Sequence, residues 1–158
     1  RHTKYGTVTG VQTCALPISS ALFTGSAVAI ASAVGIAWLL GSDATTLVSI
    51  APKSVTTPIA MGIAEKLGGL PSLTAVLVVS TGILGAVMAK YVLDALRIAH
   101  HGVRGFAVGL AAHGIGTARA FQVSEQAGAF AGLAMGLNGL ATSVIFPPLV
   151  LLAGGPWL

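Results

Sequence analysis

Of 158 residues, 54% are hydrophobic and only 8% are charged, and the mean hydropathy is +0.90. A charged fraction so far below the roughly 25% of soluble domains excludes an ordinary water-soluble fold and marks a membrane protein. The formal net charge of +4 is too small to call for a nucleic-acid partner.

The chain opens on an anomaly. VTGVQTCALPI, residues 8–18, resembles the in-frame translation of a common sequencing-library adapter. Residues 1–18 are read as an assembly artefact ahead of a natural domain spanning 19–158. Without Arg1 and Lys4 the basic count falls from 8 to 6 against 4 acids, and the net charge to +2. Cys14, the only cysteine, lies in the same stretch, so disulfides, cysteine zinc sites and a thiol nucleophile have no residues to use. The rival reading, an N-terminal signal, fails because the apolar run is short and broken by Pro17. Residues 1–18 are therefore expected to find no place in a packed core.

Three apolar runs follow. Residues 20–40 carry no charge and are long enough to cross the roughly 30 Å hydrocarbon core as a helix. Residues 71–96 form a second span, with Pro71 at its start and Lys90, Asp94 and Arg97 at or just past its far end. Residues 128–153 form a third, interrupted by Pro147 and Pro148, which a membrane helix tolerates when neighbours satisfy the freed carbonyls. Gly and Ala are abundant throughout, as expected where helix backbones approach closely in lipid.

Two segments lie between the spans: 45–68, which holds KSVTTPIA, and 103–128, which holds AAHGIGTARA. Superposed sixty positions apart, they pair Lys53 with His113, Thr57 with Thr117, Glu65 with Glu125 and Gly68 with Gly128. Common Ala, Gly and Leu supply chance matches, but the basic residue, the Thr and the Glu all keep register, which reads as an internal repeat. Each segment of some two dozen residues is long enough either to cross once as a broken helix or to dip to the midplane and return. Length does not choose. As hairpins separated by one span, they enter from opposite faces as an inverted pair, and this arrangement is preferred. Lys90, Arg97, Arg104, His100 and His101 cluster around one connection, which the positive-inside rule places in the cytoplasm. The fold expected is all-α and polytopic, with an inverted repeat of broken or re-entrant helices.

Non-helical backbone at membrane depth is tolerated only inside protein or along an aqueous cavity, so the polar centres of the two segments mark a cavity. Thr57 before Pro58 reads as a helix start capped by the hydroxyl, whose following N–H groups suit a carboxylate or phosphate. Gly114 and Gly116 allow a tight turn, and Thr117 stands in the same capping position in the second segment. Each of these residues has a plainer alternative. Lys53 either contacts substrate or snorkels toward headgroups, His113 is either functional or a packing histidine, and Arg119 and Glu125 either serve an anion or pair with each other. His100 and His101 lack companions at ligand spacing, so no metal is expected.

The stretches PKSVTTPIA, GGLPSLTAV, TGILGAV, HGIGTARA and GAFAGLAMGLNG, in this order, resemble the LrgB/CidB family of antiholin-like membrane proteins. The resemblance covers nearly everything after residue 18. Members are usually longer by several N-terminal helices, which implies that this chain is a C-terminal fragment. It departs from the family in its adapter-like start and in Gly62, where many members carry an acidic residue. The family implies two roles. One is regulation of murein hydrolase export and cell lysis with a small LrgA/CidA-like holin partner. The other is transport of small monocarboxylates, as in a plastid glycolate/glycerate transporter and bacterial pyruvate-uptake systems.

Together these readings point to a carrier in the bacterial cytoplasmic membrane for a small anionic carboxylate, ion- or proton-coupled, with the holin-type regulator as the alternative. Lys53, Ser54, Thr56 and Thr57 are expected to bind the anion, His113 to couple protonation to transport, and Gly114, Gly116, Thr117 and Arg119 to complete the cage. The partners expected are the lipid bilayer, the small carboxylate, an LrgA/CidA-like membrane protein and further copies of the chain. No cofactor is expected. Nor is catalysis, for there is no Ser, His and Asp set in recognisable context, no nucleophile elbow and no Walker-type lysine.

Overall fold

The computed structural model describes residues 7–152 and 154, and those residues are helical apart from short connections. The elements are α1 (Thr7–Leu39), α2 (Ala44–Ile50), α3 (Thr57–Lys66), α4 (Pro71–Ala95), α5 (His101–Val123) and α6 (Glu125–Leu152). Three stretches are long and apolar enough to cross a membrane: Ala15–Leu39, Pro71–Ala95 and Glu125–Leu152. They match the three expected spans to within a few residues at each end. At about 1.5 Å per residue, the 25 residues of α4 exceed the roughly 30 Å core. Its Val76, Val79, Ile83, Leu84 and Val87 stand exposed, as side chains facing lipid must.

α1 runs unbroken through residues 8–18, Pro17 included. Leu16 is 77% exposed, while Ile18 rests against the cluster of Leu22, Phe106 and Ala134. For residues 1–14 the expectation about packing lies outside the described residues and side chains.

Both interrupted segments turn back. In the first, α2 descends and the chain turns through 51–56 before α3 returns. The return is fixed where the arms leave the turn region: the Leu70 N–H donates to Ser49 Oγ at 2.8 Å, and Thr74 Oγ1 donates to the Ser49 carbonyl at 3.0 Å. Val48 and Ala51 pack with Ile63 and Leu67 between the arms.

In the second, the reversal lies inside α5, where His113 takes φ 40° and ψ −131°. A Cβ built on Gly116 would lie 2.9 Å from the Val108 carbonyl and 2.6 Å from Ala112 Cβ. Residues eight apart in a continuous helix sit about 12 Å from one another, so this proximity requires two antiparallel arms. The first arm packs parallel to α6, with Gly105 over Ala127 and Gly109 over Ala131, so closely that any Cβ would overlap those backbone carbonyls. The second arm runs antiparallel to α6 and brings Phe121 against Gly128. α5 is thus a re-entrant hairpin, which decides the question that segment length left open.

One span separates the hairpins, so they enter from opposite faces, and their tips converge on the spans. Asn138, at the middle of α6, donates from Nδ2 to the Ser54 carbonyl at 3.0 Å and to the Leu110 carbonyl at 3.2 Å. The Val78 carbonyl of α4 meets His113 Nε2 at 2.9 Å. Val78 and Asn138 are themselves sixty positions apart, as are Lys53 and His113. Each span therefore holds the hairpin tip of the other repeat, the exchange that a pseudo-two-fold axis in the membrane plane produces.

Candidate functional site

The buried centre is built around one amide. Asn138 is 1% exposed and uses every hydrogen-bonding position it has. Nδ2 serves the two carbonyls already named, and Oδ1 accepts from Ser26 Oγ at 2.7 Å and from Thr142 Oγ1 at 3.2 Å. Carbonyls only accept, so the NH2 must face Ser54 and Leu110, and the amide orientation is fixed by chemistry. The network joins α1, α6 and both hairpins through one side chain.

His113 is 4% exposed and lies against Gly82, where a Cβ would meet its ring at 2.7 Å. The Val78 carbonyl is an acceptor, so Nε2 carries the proton and Nδ1 is the nitrogen left to accept one. The backbone conformation at His113 is one that an L residue adopts at a cost of order 1–3 kcal/mol. Thr117 is buried beside it and donates from Oγ1 to the His113 carbonyl at 2.8 Å, with Met135 Sδ at 3.8 Å. A Cβ on Gly114 would meet only Met135 Sδ, in ordinary contact at 3.9 Å, and Gly116 makes the close approach of the two arms.

At the other tip, Ser54 is buried and its carbonyl is the group held by Asn138. Lys53 is half-buried in the turn and has no ion-pair partner among the described residues. Thr56 and Thr57 are half-buried at the start of α3.

Several expectations are corrected. Thr56, not Thr57, is the N-cap of α3, and its side chain makes no capping hydrogen bond; Thr57 is the first helical residue and Pro58 the second. Thr117 caps nothing either, because its hydroxyl is spent on the carbonyl four residues earlier. Arg119 does not join His113: it is exposed, bonds Gln122 Oε1 at 2.9 Å, and at six residues from the tip sits about 9 Å along the arm. It does not pair with Glu125. Asn138 was not anticipated. The signal was present as a lone amide in the middle of a 28-residue apolar helix, where an unpaired polar group is costly.

The class defined by this architecture is a multi-pass α-helical membrane protein with two opposed re-entrant hairpins and an enclosed polar centre. The sequence profile of the LrgB-like family matches residues 5–152. The chain belongs to that family. It is similar to YwbG of Bacillus subtilis, described only as an uncharacterized protein, at 40% identity over 123 residues, covering 78% of this chain and 55% of the relative. It is similar to the holin-like protein CidB of Staphylococcus epidermidis at 30% over 114 residues, covering 72% and 50%. The holin-like protein CidB of Staphylococcus aureus gives 30% over 112 residues, covering 71% and 49%. The chain spans about half the length of these relatives. No solved structure matches it. Family and fold together make it a multi-pass bacterial membrane protein.

Proposed function

We propose that the chain serves a holin-like role in the bacterial cell membrane, acting in the control of lysis beside a small LrgA/CidA-like membrane partner. The observation that carries this reading is its kinship with proteins named holin-like CidB. The enclosed centre bears on how such a role is carried out. Ser26, Asn138 and Thr142 bond one another and hairpin backbone, so these polar groups line no wide lumen. A regulator acting through its partner fits this interior better than a conduit for a hydrolase does.

A second reading, a carrier for small monocarboxylates such as pyruvate, glycolate or glycerate, is favoured by a specific feature. Two re-entrant hairpins meeting at the middle of the spans is an arrangement that places binding sites at the midplane of transporters. In this reading Lys53 takes the carboxylate, with Ser54, Thr56 and Thr57 around it, while His113 exchanges a proton through Nδ1, supported by Thr117 and the open turn at Gly114 and Gly116. One pair of assays separates the readings. Full-length protein in proteoliposomes is tested for uptake of radiolabelled pyruvate, glycolate and glycerate, and a deletion strain is tested for restored murein hydrolase activity with and without the LrgA/CidA-like partner. Uptake without any partner supports the carrier. Partner-dependent restoration with no uptake supports the regulator.

A further inference from the structure

A cavity of about 350 Å³ opens at the end of the molecule where α4 finishes and α5 and α6 begin. It is separate from the hairpin tips and owes nothing to either functional reading above. Its wall carries Lys90, Arg104 and Arg119, with a single acid, Asp94. Arg104 is committed: its guanidinium is 2.6 Å from the Asp94 carboxylate and donates to the Ile98 carbonyl at 2.9 Å. Lys90 and Arg119 have no ion-pair partner among the described residues, so two positive charges face the cavity uncompensated. Both are exposed and keep their water until a ligand arrives. Beneath them the lining is apolar, with Ala86, Ala89, Leu93, Val108 and Ala120.

We propose that this cavity binds the phosphate headgroup of an anionic phospholipid, with Lys90 and Arg119 on the phosphate and the apolar floor against the glycerol and the first acyl methylenes. Charge above and hydrocarbon below is the order in which a phospholipid presents itself at the edge of the bilayer. The same end carries Arg97, His100 and His101, the cluster that marks the cytoplasmic face, where basic pockets between spanning helices take anionic headgroups. A free three-carbon acid carries the same charge, but it would leave most of so large a cavity empty and gain nothing from the apolar floor.

The test is native mass spectrometry of the purified full chain from nanodiscs of mixed phosphatidylglycerol and phosphatidylcholine. Phosphatidylglycerol should be retained in preference, and Lys90→Gln and Arg119→Gln should each weaken retention about fivefold, the effect of one cation near an anionic surface. Arg97→Gln removes the same charge from the same end but outside the cavity, and should leave retention unchanged. Equal retention of the two lipids overturns the proposal, as does an Arg97→Gln effect as large as that of Arg119→Gln. Displacement of phosphatidylglycerol by millimolar pyruvate or inorganic phosphate overturns it too, because the cavity then holds a free anion. Selective retention that survives both competitors and falls in the two cavity variants sustains it.

Discussion

Replacing Asn138 with Leu is the sharpest perturbation of the centre, because the side chain keeps the same branched heavy-atom skeleton, though with bulkier methyl ends, while all four hydrogen bonds vanish. The cost falls unevenly. The Ser26 and Thr142 hydroxyls can rotate, and the Leu22 carbonyl, 2.7 Å from Ser26 Oγ, is ready to take the one proton that Ser26 now shares with Asn138. The Ser54 and Leu110 carbonyls belong to hairpin backbone and cannot follow. Each buried group left without a donor costs about 1–3 kcal/mol, which puts the loss at roughly 2–6 kcal/mol. Hydrogen bonds in membrane proteins average only about 0.6 kcal/mol, because the unfolded chain in lipid finds partners too, and on that scale four bonds set a floor near 2 kcal/mol. The assay is SDS titration in mixed micelles followed by tryptophan fluorescence, with Ser26→Ala as the variant that removes one rotatable donor and should lose under about 1 kcal/mol. The Ser26→Ala and Asn138→Leu effects should not add, since both act on one network. A loss below about 1 kcal/mol for Asn138→Leu would refute the claim that this amide ties the hairpin tips to the spans.

Other outcomes follow from single residues. Gly109→Ala should destabilise by about 1–3 kcal/mol because its Cβ would overlap the Ala131 backbone, whereas Gly132→Ala, with open space around it, should be neutral or gain a few tenths; equal effects in the same titration would dismiss the close packing of the first α5 arm. His113→Gly and His113→Ala both give up one hydrogen bond and the packing of a buried ring, but only glycine relieves a conformation that costs about 1–3 kcal/mol, so the glycine variant should be the more stable of the two by about that amount, and equal stability would show that the corner is not strained. Under the carrier reading, His113→Gln should keep a hydrogen bond yet abolish the dependence of uptake on an imposed pH gradient, and unchanged dependence would remove the coupling role. Asp43, in the water-exposed connection, is held below the ordinary carboxylate value of 3.8 first by the Thr46 side chain and then by the Thr46 N–H, which donates to it at 3.3 Å. Its support for the start of α2 is complete above that value and is lost as pH falls through the folded value beneath it. The protection of the Thr46 amide, its exchange relative to the intrinsic rate at each pH, should therefore fall at low pH in the native chain but not in Asp43→Asn, and identical protection profiles would discount the cap.

What the sequence made legible was whatever depends on composition and length. Three apolar runs of bilayer length, two of them uncharged, could hardly be anything but spans, and KSVTTPIA and HGIGTARA stood out as polar interruptions. The sixty-residue register also held, well enough that Val78 and Asn138, which had not been paired, turn out to occupy exchanged positions. The rest failed for reasons of distance. Nothing in the run AAHGIG says that the reversal falls on His113 and not on a neighbouring glycine. The cap at Thr57 missed by one residue, the ordinary uncertainty of helix ends. Arg119 stands in the same HGIGTARA motif as His113 and Thr117, which suggests a place at the tip, but the rise of a helical arm carries it away. Asn138 escaped because its partners are backbone carbonyls on two distant segments, and a pattern of side chains does not display them.

The corner at His113 carries the argument one step further. A glycine stands next in the chain and would take the same backbone angles without strain, so the imidazole is held there at a conformational cost. The hydrogen bond to the Val78 carbonyl offsets part of the cost, on the order of 0.5–1.5 kcal/mol against 1–3. Packing of the buried ring against Gly82 offsets more of it, and strain over-determined in this way by its surroundings gathers at ligand clamps and switch regions. Lys53 is its counterpart in the repeat, ionisable, half-buried and without an ion-pair partner among the described residues. Under the carrier reading proposed above, a small solute or a proton passing between the hairpins would meet both groups, each beside a span of the other repeat.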